Sequence, residues 1–152
     1  MSSDETILTP GRTLCHAPGS SKKRLFETIA RLISEDQLSL PYGDVLDHLI
    51  AREKLGSTGL GGGIAIPHCR ISNCSQALGT LVTVAEPIEF DAPDDQPVDL
   101  LFVLLVPEEA NQAHLDILAR LAGLFSQQDF CQQLRAADDS TSLYQLAAGQ
   151  GL

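Results

Sequence analysis

The chain is 152 residues long, enough for one domain with a core of its own and short for two. It carries 10 Lys and Arg against 20 Asp and Glu, a formal net charge of −10, which argues against a nucleic-acid partner because phosphate backbones are bound by excess positive charge. No apolar run approaches the ~20 residues of a membrane span, and Met1-Ser2-Ser3-Asp4-Glu5 lacks the basic start of a secretory signal, so a cytoplasmic protein with no membrane insertion is expected.

Residues 1–20 hold Pro10, Gly11, Pro18 and Gly19 around one short apolar patch, Ile7-Leu8, and read as a loosely ordered lead-in to a single domain over 1–152. Ser20-Ser21 then supplies a helix cap, after which Leu25, Phe26, Ile29, Leu32 and Ile33 recur at helical spacing. The Lys22-Lys23-Arg24 cluster at its start reads as a solvated face, with contact to an anion or acidic partner as the alternative. Pro41 opens a second helical segment, 44–53, with Val45, Leu46, Leu49 and Ile50 as the inward stripe. His48 lies beside that stripe and reads as structural. Arg52 sits near the helix C-terminus, where the dipole favours a cation in any case.

Next comes Leu55-Gly56-Ser57-Thr58-Gly59-Leu60-Gly61-Gly62-Gly63-Ile64-Ala65-Ile66-Pro67-His68-Cys69-Arg70. Five glycines allow positive φ and close approach of another group, at an entropic cost an ordinary loop has little reason to bear. Ile64-Ala65-Ile66 reads as a brief buried strand that Pro67 ends by withholding a donor. His68 is therefore held at the edge of a rigid element, either as a hydrogen-bonded strand-end residue or as a neutral, nucleophilic imidazole.

Residues 77–85 alternate as a strand that Pro87 interrupts, and Ile88 to Asp91 with the turn at Pro93-Asp94-Asp95 reads as a hairpin arm. Val98 to Val106 is the longest apolar run, matching a central strand covered on both faces. Asn111 as N-cap would place His114 in the first turn of a helix over 114–125, where free amides and the dipole favour an anion; a helix histidine with no task is the alternative. A short helix over 129–137 and another capped by serine or threonine from Ser140 follow, and 149–152 is expected to fray. Cys15, Cys69, Cys74 and Cys131 show no zinc-type CxxC pairing and read as thiols, so no metal is expected. Helices alternating with strands predict an α/β sandwich in which a mixed sheet of about four or five strands lies between helices.

Gly63-Ile64-Ala65-Ile66-Pro67-His68, preceded by Arg52-Glu53 and Gly56-Ser57-Thr58-Gly59, resembles the phosphorylation-site signature of the mannitol/fructose-type IIA proteins of the bacterial phosphoenolpyruvate-dependent phosphotransferase system. Phe90-Asp91-Ala92, Gln96 to Phe102 and Leu104-Leu105-Val106-Pro107 extend the likeness over about residues 20–146, and they are similar to its stand-alone nitrogen-regulatory branch. The resemblance implies that His68 takes a phosphoryl group from an HPr-like carrier and that His114, in a matching His-Leu-x-x-Leu context, steadies the phosphohistidine. It further implies that Arg52 contacts the phosphate or a partner, and that regulated targets such as kinases or transporters sense the phosphorylation state. Gly62 stands where such motifs often have asparagine, and Cys69 where they usually have glycine.

A neutral imidazole can attack a phosphoryl group in line, and transfer of this kind depends mostly on positioning and charge stabilisation, with the glycine loop expected to admit the donor's histidine. No ATP-binding motif is present, so the phosphate is expected from another phosphoprotein, with no cofactor. A sugar-specific fructose or mannitol IIA component and a regulatory module that binds without phosphotransfer are the alternatives. A hydrolase using His68 with Ser57 and Asp91 is weaker, since no Gly-x-Ser-x-Gly elbow occurs.

Overall fold

The structure, a computed structural model, describes residues 7–18, 21–109 and 112–152. In chain order its elements are β1 (Leu8–Ala17), α1 (Lys22–Asp36), α2 (Tyr42–Lys54), β2 (Gly59–Gly61), β3 (Ile64–Ala65), β4 (His68–Ile71), β5 (Leu78–Ile88), β6 (Val98–Pro107), α3 (Gln112–Phe125), α4 (Gln128–Ala136) and α5 (Ser140–Ala148). They form a six-stranded mixed sheet in the order β1-β5-β6-β3-β2, with β4 also paired to β6.

The apolar run 98–106 becomes β6, and its alternation builds both halves of the core. Leu101, Val103 and Leu105 face a cluster that includes Leu25, Phe26 and Ile29 of α1 and Val45 and Leu49 of α2. Leu100, Phe102 and Leu104 face the opposite cluster, with Leu121 and Phe125 of α3, Leu134 of α4 and Leu143 of α5. A fully buried leucine contributes ~1.5–3 kcal/mol, so a strand buried on both faces is the chief source of cohesion between the two helical layers. The sheet holds more strands than the four or five expected, because the lead-in contributes one and the glycine motif divides into three.

The expectation of a loose lead-in does not hold from Leu8 to Ala17, which pair in parallel with β5. Pro10 and Gly11 are tolerated because β1 is an edge strand with register shifts along its length. Arg12 anchors it: its side chain is buried, donates to the carbonyls of Gly79 (2.9 Å) and Ile7 (2.8 Å), and pairs with Asp36 at the end of α1. Residues 1–6 and 19–20 lie outside the described residues.

Other differences are local. β5 continues through Pro87 to Ile88, which pairs with Val98 after a register shift that absorbs the missing donor. Ser21 caps α1 as expected, accepting from the Arg24 amide, but Lys22 is not simply solvated: its ammonium lies 2.9 Å from Glu53 and 4.4 Å from the centre of the Phe90 ring. The cap of α5 is Asp139, accepting from the Ser142 amide at 2.7 Å, in place of the serine or threonine expected. The terminus does not fray either. Leu152 is buried and its carbonyl accepts from Leu8, while Arg120 donates to the carbonyls of Gln150 and Gly151. The cap expected at Asn111 falls outside the described residues.

Candidate functional site

The motif residues fold by rules that are local. Glu53, buried at the end of α2, accepts from the Thr58 hydroxyl (2.7 Å) and amide (3.1 Å) as well as from Lys22, and so ties the helix to the loop that follows. β2 and β3 pair through Gly61 and Ile64, leaving Gly62 and Gly63 as a two-residue turn with φ of 67° and 82°. Positive φ at both central positions defines a type I′ hairpin turn, for which asparagine and glycine are the favoured first residues. Gly62 in place of asparagine therefore keeps the turn.

Pro67 ends β3, and the chain steps to β4, which runs parallel to β6 with His68 beside Leu104, Cys69 beside Leu105 and Arg70 beside Val106. Because neighbours in register face the same side, His68 and Arg70 lie on the α3 side, while Cys69 packs toward the α1 and α2 cluster. Burial, then Cys74, push the Cys69 thiol up from 9.0 to about 12, against a lowering influence of Arg52. It is a neutral filler beside the histidine and is not a thiolate nucleophile.

His68 is half-buried, and its Nδ1 lies 2.7 Å from the Ile66 carbonyl oxygen. A carbonyl only accepts, so Nδ1 carries a proton, and in the neutral tautomer this leaves the lone pair on Nε2. Around this histidine is a cavity of about 460 Å³ whose wall includes Arg52 from α2, Arg70 from β4 and His114 from α3. Much of the remaining wall is apolar, from Leu104, Val106 and Leu118 among others. α3 buries Leu121 and Phe125 in its second half, while Leu115 in its first half is 53% exposed at the cavity. Leu55, 85% exposed, lies on the α2 side of the same opening.

The three residues singled out from the sequence thus share one cavity, although 46 residues separate His68 from His114 (114 − 68). Arg52 donates to the Gly56 carbonyl at 3.0 Å, which holds the guanidinium against the loop and leaves its other donors for a ligand. His48 stays apart, half-buried and bonded through Nδ1 to the Asp44 carbonyl.

One expectation is overturned. The triple glycine does not line the His68 cavity: Gly61 and Gly62 border a separate cleft with α4, where Arg135 donates to the Gly62 carbonyl at 2.7 Å and to Asp99 at 3.0 Å. The glycines shape a hairpin that starts the strand leading to His68, and they do not form a bare surface beside it. Arg70, on the same wall, is a residue that the sequence alone does not single out. Its signal was the two-residue spacing from His68, which puts both on one face of a strand.

Residues 6–148 match the family model described as phosphoenolpyruvate-dependent sugar phosphotransferase system, EIIA 2. The chain belongs to that family. It is 48% identical over 142 residues to a nitrogen regulatory protein of Pseudomonas aeruginosa, covering 93% of this chain and 92% of the relative. The crystal structure of the nitrogen regulatory protein IIA-Ntr from Neisseria meningitidis superposes with a TM-score of 0.84 at 44% identity, over 92% of this chain and 95% of that one. The mannitol IIA protein of Escherichia coli shares the fold at 15% identity, with a TM-score of 0.73 over 91% of this chain and 96% of its own. This EIIA chain is thus similar to nitrogen regulatory proteins over nearly its whole length, and no helix among its described residues is long and apolar enough to cross a membrane.

Proposed function

We propose that this chain is a phosphoryl-relay regulator whose His68 accepts a phosphoryl group from an HPr-like carrier protein. Its two phosphorylation states act differently on target proteins such as kinases or transporters, reporting nitrogen, carbon or potassium status in the cytoplasm. The observation that carries this reading is the Nδ1 bond of His68 to the Ile66 carbonyl, which leaves Nε2 as the nucleophilic nitrogen in a largely apolar cavity with Arg52 and His114.

In the proposed step, the Nε2 lone pair forms a P–N bond as the P–N bond of the donor phosphohistidine breaks, and the donor nitrogen keeps the electron pair. His68 retains its Nδ1 proton and its ring becomes cationic. The Ile66 carbonyl, already 2.7 Å from that proton, stabilises the new charge without moving. Arg52 supplies planar donors to the phosphoryl oxygens. His114, in the first turn of α3, adds a further donor beside the helix dipole. The exposed Leu55 and Leu115 at the opening give the carrier an apolar footing.

The test is incubation with phosphoenolpyruvate, enzyme I and the carrier, followed by the intact mass of the chain. One added phosphoryl group is expected. An unchanged mass under conditions that charge the carrier would favour a module that binds without phosphotransfer.

A further inference from the structure

We propose that Arg70 is a phosphoryl-binding residue that closes on the phosphorylated His68, an inference that rests on reading His68 as the acceptor. Arg70 follows His68 by two residues in β4, beside Val106, and lines the same cavity. Strand alternation puts the two side chains on one face. Among the described residues, the Arg70 side chain has no hydrogen-bond or ion-pair partner and is exposed, whereas Arg52 is tethered to the Gly56 carbonyl.

The surroundings explain why a second guanidinium is needed. A phosphoryl dianion on Nε2 would sit among Leu104, Val106, Leu115 and Leu118, side chains that offer no hydrogen bonds. Desolvating such a charge is costly unless donors replace the lost water. Arg52 approaches from α2 and His114 from α3, and the β4 side of the cavity has only Arg70 to complete the set. Its unpaired state leaves it able to swing onto the oxygens once they arrive, with no bond within the protein to break first.

The consequence is a longer-lived phosphohistidine. Hydrolysis breaks the P–N bond and joins the phosphorus to a water oxygen, while the ring nitrogen takes the electron pair. In a loose transition state the equatorial oxygens carry less charge than in the dianion. A cation on those oxygens therefore stabilises the phosphorylated protein more than its route to hydrolysis.

Chemical phosphorylation with phosphoramidate tests this without any partner protein. Wild type, Arg70→Gln and Arg70→Lys are labelled, with His68→Ala as the blank, and release of inorganic phosphate is followed at pH 8. Arg70→Gln should lose the group about tenfold faster, with Arg70→Lys in between and unfolding midpoints unchanged. Equal half-lives in wild type and Arg70→Gln would overturn the proposal, and so would loss that tracks a lowered midpoint in both variants. Absence of phosphoramidate labelling at His68 in the wild type would overturn both this proposal and the acceptor reading. Failure of the phosphorylated carrier to pass its group to a His68 that phosphoramidate labels would sink the relay reading and leave the half-lives to decide Arg70.

Discussion

The ring of His68 is oriented by the backbone two residues before it: its Nδ1–H donates to the Ile66 carbonyl across 2.7 Å, over a proline that cannot itself donate. Pro67 separates the end of β3 from the start of β4, and its own carbonyl accepts from the Leu104 amide at 2.9 Å. The histidine is thus fixed to the central strand on one side and to its own chain on the other, and a nucleophile held in this way loses little freedom on meeting its donor.

Arg52 offers the first test. Arg52→Lys keeps the charge but loses the planar fork and the fixed bond to the Gly56 carbonyl. Transfer from the carrier to His68 should slow about tenfold, ~1.4 kcal/mol, with the unfolding midpoint unchanged because the side chain is only half-buried. Stopped-flow measurement of phosphoryl transfer gives the rate, and an unaltered rate removes the role assigned to Arg52.

His114→Ala should still accept the group at His68 but transfer it more slowly, by a factor matching ~1–3 kcal/mol for a charge-assisted hydrogen bond. Gain and loss of phosphate in the two proteins, alongside their thermal unfolding, decide this. Wild-type kinetics in both directions would make His114 a helix residue and nothing more.

Leu115, half-exposed at the mouth of the cavity, touches a partner in this account and does not touch the phosphate. Leu115→Asp should raise KM for the carrier by about tenfold and leave kcat near that of the wild type. A fall in kcat with KM unchanged would place Leu115 inside the chemistry instead.

Cys69 carries a pH dependence whose sign follows from its burial. Its folded pKa lies near 12, above the 9.0 of an unperturbed thiol, so the folded chain holds a proton that the unfolded chain releases. The stabilisation is complete below pH 9 and is lost as pH rises toward about 12, at no more than ~1.4 kcal/mol per pH unit. Cys69→Ala should show a flatter decline than the wild type in urea unfolding between pH 9 and 11. Parallel curves for the two proteins would contradict the burial argument.

The sequence was most legible where periodicity is local. α1, α2 and β6 follow from helical spacing and a continuous apolar run, and the histidine's context pointed to the family. β1 was not legible. Pro10 and Gly11 are ordinary loop signals, and what overrides them is parallel pairing to β5 some 70 residues away, together with a buried arginine that reaches the distant Gly79 carbonyl and the Asp36 carboxylate. The same holds for Leu152, ordered by a bond to Leu8 that no C-terminal sequence pattern announces. His68 and His114 stood out as candidates from their own elements and Arg52 from the family resemblance alone, and what brings the three to one cavity is the pairing of β4 with β6. The glycines misled because positive φ is equally a requirement of a type I′ hairpin and of a surface left bare for a partner. Only the position of Gly62 and Gly63 between paired strands separates the two.

The central claim is that Nε2 of His68 receives the phosphoryl group while Nδ1 keeps its proton on the Ile66 carbonyl. Long-range proton–nitrogen NMR of the nitrogen-15-labelled chain, phosphorylated through the carrier, tests it most directly. The account predicts phosphorus coupled to Nε2 of His68, a protonated Nδ1, and unphosphorylated rings at His48 and His114. A phosphoryl group on Nδ1 of His68, or on His114, would contradict it.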